Sequence, residues 1–185
     1  VESVTVDKID KEVPVLTISG NPEMWTNQNV TLKADAGENV KFEYSYDEES
    51  CYSGSEVVVT ATTPAVSFIA SEKGGHIVVE SVTVDKIDKV APTLEISGNA
   101  AEWTNQDVVL TATANEGTVE YYDGKDWVAG NRITATANGT YQFRVTDKAG
   151  NVTEESVEVT YIDKVAPTME INGNAIDWTN ENIVL

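Results

Sequence analysis

Gly139-Thr140-Tyr141-Gln142-Phe143-Arg144-Val145-Thr146, followed by Asp147-Lys148-Ala149-Gly150-Asn151, is the stretch whose reading decides the fold. Tyr141, Phe143 and Val145 alternate with polar residues, the period of a strand with one buried face. Asn138-Gly139 before it and Asp147 to Asn151 after it are turn signals. Outward from there, the same grammar repeats. Val157, Val159 and Tyr161 share a face downstream. Upstream, Ile133 and Ala135 mark one strand and Trp127 another, which returns from an Asp123-Gly124 turn. Residues 118–122 form a further strand. Val108, Leu110, Ala112 and Ala114 fall on one face of the next, with Val109, Thr111 and Thr113 on the other. Thr93 to Ser97 alternates again. About seven short strands with turn signals roughly every 8–12 residues predict an antiparallel sandwich or barrel. No helical periodicity competes, so the chain reads as all-β.

A second pattern divides the chain. Ile87-Asp88-Lys89-Val90-Ala91-Pro92-Thr93 is followed by Gly98-Asn99 and then by Trp103-Thr104-Asn105. Earlier, Ile9-Asp10-Lys11 leads through Pro14 to Trp25-Thr26-Asn27. Later, Ile162-Asp163-Lys164 leads through Pro167 to Trp178-Thr179-Asn180. A recurrence of roughly 75–80 residues is the mark of a modular array. Val1 to Lys11 recurs letter for letter as Val79 to Lys89, where it ends a module. The expected division is therefore residues 1–8 as the last strand of a preceding repeat, 9–86 and 87–161 as two sandwiches, and 162–185 as the first strands of a third repeat. Trp25 and Trp103 lie 78 positions apart, Phe68 and Phe143 only 75. The first module thus carries three extra residues, assigned here to the acidic turn at Asp47 to Ser50, with Tyr52 aligned on Trp127. A third repeat of one or two strands cannot bury a core, so it is expected to be ordered from outside, by the Val1 to Lys8 strand donated from another molecule or by the second module itself.

The 31 acidic against 12 basic residues give a net charge of −19. That disfavours nucleic acid and anionic membranes as partners, and no stretch reads as membrane-inserting. Cys51 is the single cysteine, so no internal disulfide staples the fold. Catalytic signatures are missing too: there is no Gly-x-Ser-x-Gly, no His-Glu-x-x-His and no phosphate-cradling loop.

The run from Asp-Lys-x-Ala-Pro-Thr through Gly-Asn and Trp-Thr-Asn to Gly-Thr-Tyr-Gln-Phe-Arg-Val-Thr-Asp-Lys-Ala-Gly-Asn resembles the bacterial immunoglobulin-like repeats of large secreted and cell-surface proteins. The resemblance implies tandem immunoglobulin-like sandwiches and an extracellular setting, at the bacterial surface or secreted. For activity it implies a non-catalytic stalk or spacer, with adhesion or an accessory carbohydrate-binding role as the alternative. Residues 138–143 also look like a tyrosine corner, with Tyr141 as its tyrosine and Phe143 in the place of the second cysteine of antibody domains. In the first module Val66 stands where that tyrosine should be.

Three candidate features remain. Each Trp-Thr-Asn tryptophan is expected to plug the base of its own sandwich. Trp127 with Tyr121 and Tyr122 is the candidate glycan platform. Asp85, Asp88, Asn21, Glu23, Asp147 and Asn151 converge on the junction between modules if the sandwiches follow the immunoglobulin plan. Several hard oxygen ligands at one hinge suit Ca²⁺, with Lys86, Lys89 and Lys148 as competing partners for the carboxylates. The partners expected overall are neighbouring repeats of the same chain and a glycan or surface ligand.

Overall fold

The computed structural model describes residues 12–47, 49–173 and 178–184. Among them there is no helix. Seven strands build the first half: β1 (Thr17–Ser19), β2 (Val30–Asp35), β3 (Val40–Ser45), β4 (Tyr52–Ser53), β5 (Glu56–Val59), β6 (Thr63–Glu72) and β7 (Ile77–Val84). Seven build the second: β8 (Leu94–Ser97), β9 (Val108–Ala114), β10 (Thr118–Tyr122), β11 (Trp127–Ala129), β12 (Arg132–Ala135), β13 (Gly139–Thr146) and β14 (Val152–Val159).

Each half is a sandwich of one three-stranded and one four-stranded antiparallel sheet. The orders β1-β2-β5 and β4-β3-β6-β7 are matched strand for strand by β8-β9-β12 and β11-β10-β13-β14. In both, the fourth strand joins the third rather than the fifth. The alternation read from the sequence sets the faces. Val108, Leu110 and Ala112 point inward from β9, and Phe143 and Val145 face them from β13, all buried. Leu32, Val57, Val66 and Phe68 play these parts in the first sandwich, around a separate core. The Tyr141 hydroxyl donates to the Ala137 carbonyl at 2.8 Å, closing the corner expected there. Val66, its counterpart, is fully buried and makes no such tie.

The sequence motifs acquire separate jobs. Gly98 has φ +90°, and a Cβ there would sit 2.2 Å from the Val109 carbonyl oxygen; Gly20 repeats this against Thr31. Only glycine lets the chain pass so close to the neighbouring strand. The adjacent Asn99 and Asn21 donate through Nδ2 to the Glu158 and Thr83 carbonyls, fastening the first strand to the last.

Ile87 and Ile162, which open the second and third repeats in the sequence division, belong to the preceding cores instead. Each forms a parallel bridge, Ile87 with Thr26 and Ile162 with Thr104. The strand pattern misled here. After Val159 the alternation breaks, Tyr161 turns outward, and Ile162 takes the buried position. The three extra residues also fall elsewhere than in one acidic turn. One lies between Leu32 and Phe42, since Phe42 takes the place of Val119. One is Tyr46, ahead of the turn in which Asp47, like Asp123, accepts two backbone N–H groups. The third is a bulge in β6 between Thr63 and Val66. Tyr52 accordingly aligns with Val128, one residue along from Trp127.

Residues 163–173 and 178–184 form no strand and are exposed, Trp178 completely so. The segment 1–8, proposed from the sequence as a donated strand, lies outside the described residues.

Candidate functional site

The two sandwiches meet end to end, and their junction is where the recurring motifs converge. The turn joining β13 to β14 is built around Asp147. Its Oδ1 accepts from the N–H groups of Ala149 and Asn151 at 2.8 and 2.9 Å, and its Oδ2 accepts from Asn151 Nδ2 at 2.8 Å. The residue is buried. Burial alone would push its carboxyl up. Hydrogen bonds from the Asn151 side chain and from the turn's backbone outweigh that and hold it below the ordinary carboxylate range.

So shaped, the turn reaches the first sandwich. Asn27 donates its N–H to the Ala149 carbonyl and its Nδ2 to the Gly150 carbonyl, both at 3.1 Å. Asn151 Nδ2 donates back to the Asp88 carbonyl at 2.9 Å. Lys148 places its ammonium 3.6 Å from the centre of the Trp25 ring, a contact worth about 0.5–2 kcal/mol according to its exposure. The linker is stiffened as well. Thr26 donates to the Lys86 carbonyl and accepts from Asp88 N–H, both at 2.9 Å. Asp88 Oδ1 caps the N–H of Val90 at 3.0 Å, and Lys89 is tied to Asn29.

This corrects the expectation for the tryptophans. They do not plug their own sandwiches: Trp25 is 37% exposed and Trp103 70%. Trp25 carries Lys148 of the neighbour, and Trp103 lies at 82° to Tyr161, ring centres 5.6 Å apart. Aromatic size suggested a core plug, whereas the position before the bridging threonine puts the Trp25 ring under Lys148 of the next sandwich. A chain position repeated in every module is equally compatible with a buried core or a buried junction, and the sequence pattern alone does not separate them.

The proposed Ca²⁺ ligands divide. Asp88, Asp147 and Asn151 do come together, but as hydrogen-bond partners. Asp147 has both oxygens engaged by amides, and Asp88 presents its carbonyl to the junction while its Oδ1 turns to Val90. Asn21 points to β7, and Glu23 contributes its carbonyl to Lys86. Asp85 is exposed. Among the described residues no group of three or more His, Cys, Asp or Glu side chains is placed to hold a metal ion.

The glycan platform does not assemble either. Tyr121 and Tyr122 point to opposite faces of β10, Tyr121 toward the core. Trp127 and Tyr122 are tilted at 56° rather than coplanar. Arg144, paired with Glu120 at 2.6 Å, lays its guanidinium 4.6 Å from the Trp127 ring centre. The aromatic cluster that does form is in the first sandwich. Tyr44 and Tyr52 stack at 5.5 Å and Tyr46 packs edge-on to Tyr44, with Tyr46 and Tyr52 exposed. Sequence reasoning missed it because Tyr52 joins Tyr44 and Tyr46 only across the β3–β4 pairing.

Neither a comparison with protein-family models nor one with curated proteins finds a match.

Two results test the junction. Because the Asp147 carboxyl is held down in the folded state, its stabilisation is present above the unfolded value near pH 4 and is lost as pH falls through the folded value. Asp147→Asn keeps the shape but loses one acceptor, and is expected to cost about 1–2 kcal/mol and to flatten the acid limb of the stability curve. Urea unfolding between pH 2.5 and 6 checks this; an unchanged acid limb contradicts it. Thermal melts in EDTA and in millimolar Ca²⁺ are expected to superimpose, and a rise of several degrees with Ca²⁺ would overturn the reading of the ligand set.

Proposed function

We propose that the chain is a stretch of a non-catalytic spacer, a stalk of tandem immunoglobulin-like sandwiches in a bacterial surface or secreted protein. The observation that carries this reading is the junction itself. Two sandwiches of matching topology are held pole to pole by three amide–carbonyl hydrogen bonds and a lysine on an indole face, across a capped linker containing Pro92. Such contacts restrict bending between neighbours, which is what a spacer requires. The strongly acidic surface keeps copies apart and soluble, and the resemblance of the repeat pattern supplies the extracellular setting.

Small-angle scattering tests it. The chain is expected to scatter as a narrow set of extended shapes. The pair Asn27→Ala and Lys148→Ala should broaden that set without unfolding either sandwich. A parent chain that already needs a broad ensemble of inter-module angles would defeat the stalk reading.

One observation favours a second reading, a glycan-binding or adhesive module: the cluster of half-buried Tyr44 with exposed Tyr46 and Tyr52. Oligosaccharide titrations that shift Tyr52 resonances, and lose the shift in Tyr52→Ala, would move the assignment there.

A further inference from the structure

The same pole occurs twice in this molecule, once covered and, among the described residues, once bare. We infer that Trp103, Asn105 and the Asp163 carbonyl form a docking site for the turn between the last two strands of a following sandwich, tethered through the linker that begins at Asp163. The inference rests on the spacer reading and names the partner chemistry of its junction.

The bare site is built like the occupied one. Thr104 donates to the Tyr161 carbonyl and accepts from Asp163 N–H, both at 2.8 Å, as Thr26 does with Lys86 and Asp88. Thr104 Oγ1 accepts from Gln106 N–H at 3.0 Å, as Thr26 does from Gln28. Gln106 Nε2 holds Asn105 Oδ1 at 2.6 Å, as Gln28 holds Asn27. With Oδ1 engaged, Nδ2 is the end of each asparagine amide left to donate outward. Asp163 caps Val165 N–H at 2.9 Å, and Lys164 is tied to Asp107 as Lys89 is to Asn29.

What differs is the occupant. Asn27 spends its N–H and Nδ2 on Ala149 and Gly150, and the Asp88 carbonyl receives Asn151. Asn105 N–H, Asn105 Nδ2 and the Asp163 carbonyl have no protein partner among the described residues. Trp103 is almost twice as exposed as Trp25, which carries Lys148. A site already ordered without its ligand binds with little further loss of freedom.

The four contact points define the partner. A cation is needed over the indole. Two successive carbonyls must reach the asparagine donors, which favours small residues; Ala149 is buried by the contact, and Gly150 has φ +89° with its Cβ position 3.8 Å from Asn27 Nδ2. An amide donor must then return to the linker carbonyl. The matching turn is lysine, small residue, glycine, asparagine. The first sandwich presents Lys73-Gly74-Gly75-His76 at its own upper pole, with the same backbone turn, Glu72 N–H to His76 O at 3.2 Å and Gly75 N–H to Glu72 O at 3.1 Å. It keeps the lysine and the small residues but has His76, paired with Glu72, where the amide should be. The second sandwich is therefore the better template for a partner.

Hydrogen exchange and acrylamide quenching on the intact chain give the first test. Asn27 N–H is expected to exchange at least about tenfold more slowly than Asn105 N–H, and Trp25 to be quenched less than Trp103. The variant Lys148→Ala with Asn151→Ala should bring both differences close to zero while strand amides stay protected. If Asn27 is no better protected than Asn105, or stays protected in the variant, the turn does not fill this site and the proposal fails. The second test extends the chain after Leu185 with a further copy of residues 111–164, completing a third sandwich. Slowed exchange at Asn105, lost when the appended turn's lysine and asparagine are replaced by alanine, is the expected result. A folded third sandwich that leaves Asn105 exchange unchanged overturns the proposal. That outcome, with scattering still rod-like, would leave the spacer reading standing, so the two failures are distinguishable.

Discussion

Phe143→Ala is expected to destabilise the second sandwich by about 3–5 kcal/mol, most of what a unit of this size possesses, and to leave the first sandwich folded. The ring is completely buried at the middle of β13, paired with Tyr121 on one side and Glu155 on the other, and faces Leu110 and Ala112 of the opposing sheet. Its removal opens a cavity where two sheets meet, and neither sheet can collapse into it without breaking ladder hydrogen bonds. The first core, centred on Phe68 and Leu32, shares no buried residue with the second. Calorimetry should therefore show two transitions in the variant, one moved far down and one close to its original place. The junction predicts a small linked shift, because an unfolded second sandwich no longer supplies Lys148 to Trp25. A single transition that moves as a whole would mean that the cores are coupled far more strongly than their separation implies.

Gly98→Ala is the second large effect, expected at about 3 kcal/mol. Left-handed backbone costs a side-chain-bearing residue roughly 1–2 kcal/mol. The rest comes from the Cβ position 2.2 Å from the Val109 carbonyl oxygen, a backbone atom held in the β9 ladder. Gly124 supplies the control. Its φ is +99°, but nothing lies within 4 Å of its Cβ position. Gly124→Ala should carry the conformational term alone, about 1–2 kcal/mol. Urea unfolding of the two variants separates the terms, and equal losses would remove the close-approach argument. Gly20→Ala should behave as Gly98→Ala does, since its Cβ position is 2.1 Å from the Thr31 carbonyl oxygen.

Strand alternation is a local property, and it carried well into the structure. Val108, Leu110, Ala112, Phe143 and Val145 face inward as their period of two requires, and Asp123-Gly124 turns the chain between β10 and β11. The Tyr141 hydrogen bond follows from a short sequence pattern because donor and acceptor are only four residues apart. Where the partners are distant, the pattern had no purchase. Ile87 meets Thr26 through a parallel bridge that periodicity does not announce, so the modules end one motif later than their repeat spacing suggests. The bulge in β6 and the added Tyr46 moved Tyr52 off its expected match because spacing counts residues and pairing counts hydrogen bonds.

The sequence by itself determined the all-β class, the strand faces and the repeat, because side-chain period, turn chemistry and recurrence are written within a few residues of each other. Only the tertiary structure decided what the repeated polar and aromatic positions are for. Asp147 and Asn151 looked like metal ligands and are the scaffold of a turn; Trp25 looked like a core plug and is a seat for Lys148 of the next sandwich. The reason is physical. A carboxylate accepts equally from a cation or an amide, and an indole is buried equally well by its own module or by a neighbour. For Asp147 the partners are amides of its own turn, two and four residues on; for Trp25 the partner is fixed by contacts spanning more than a hundred residues, such as Asn27 to Gly150.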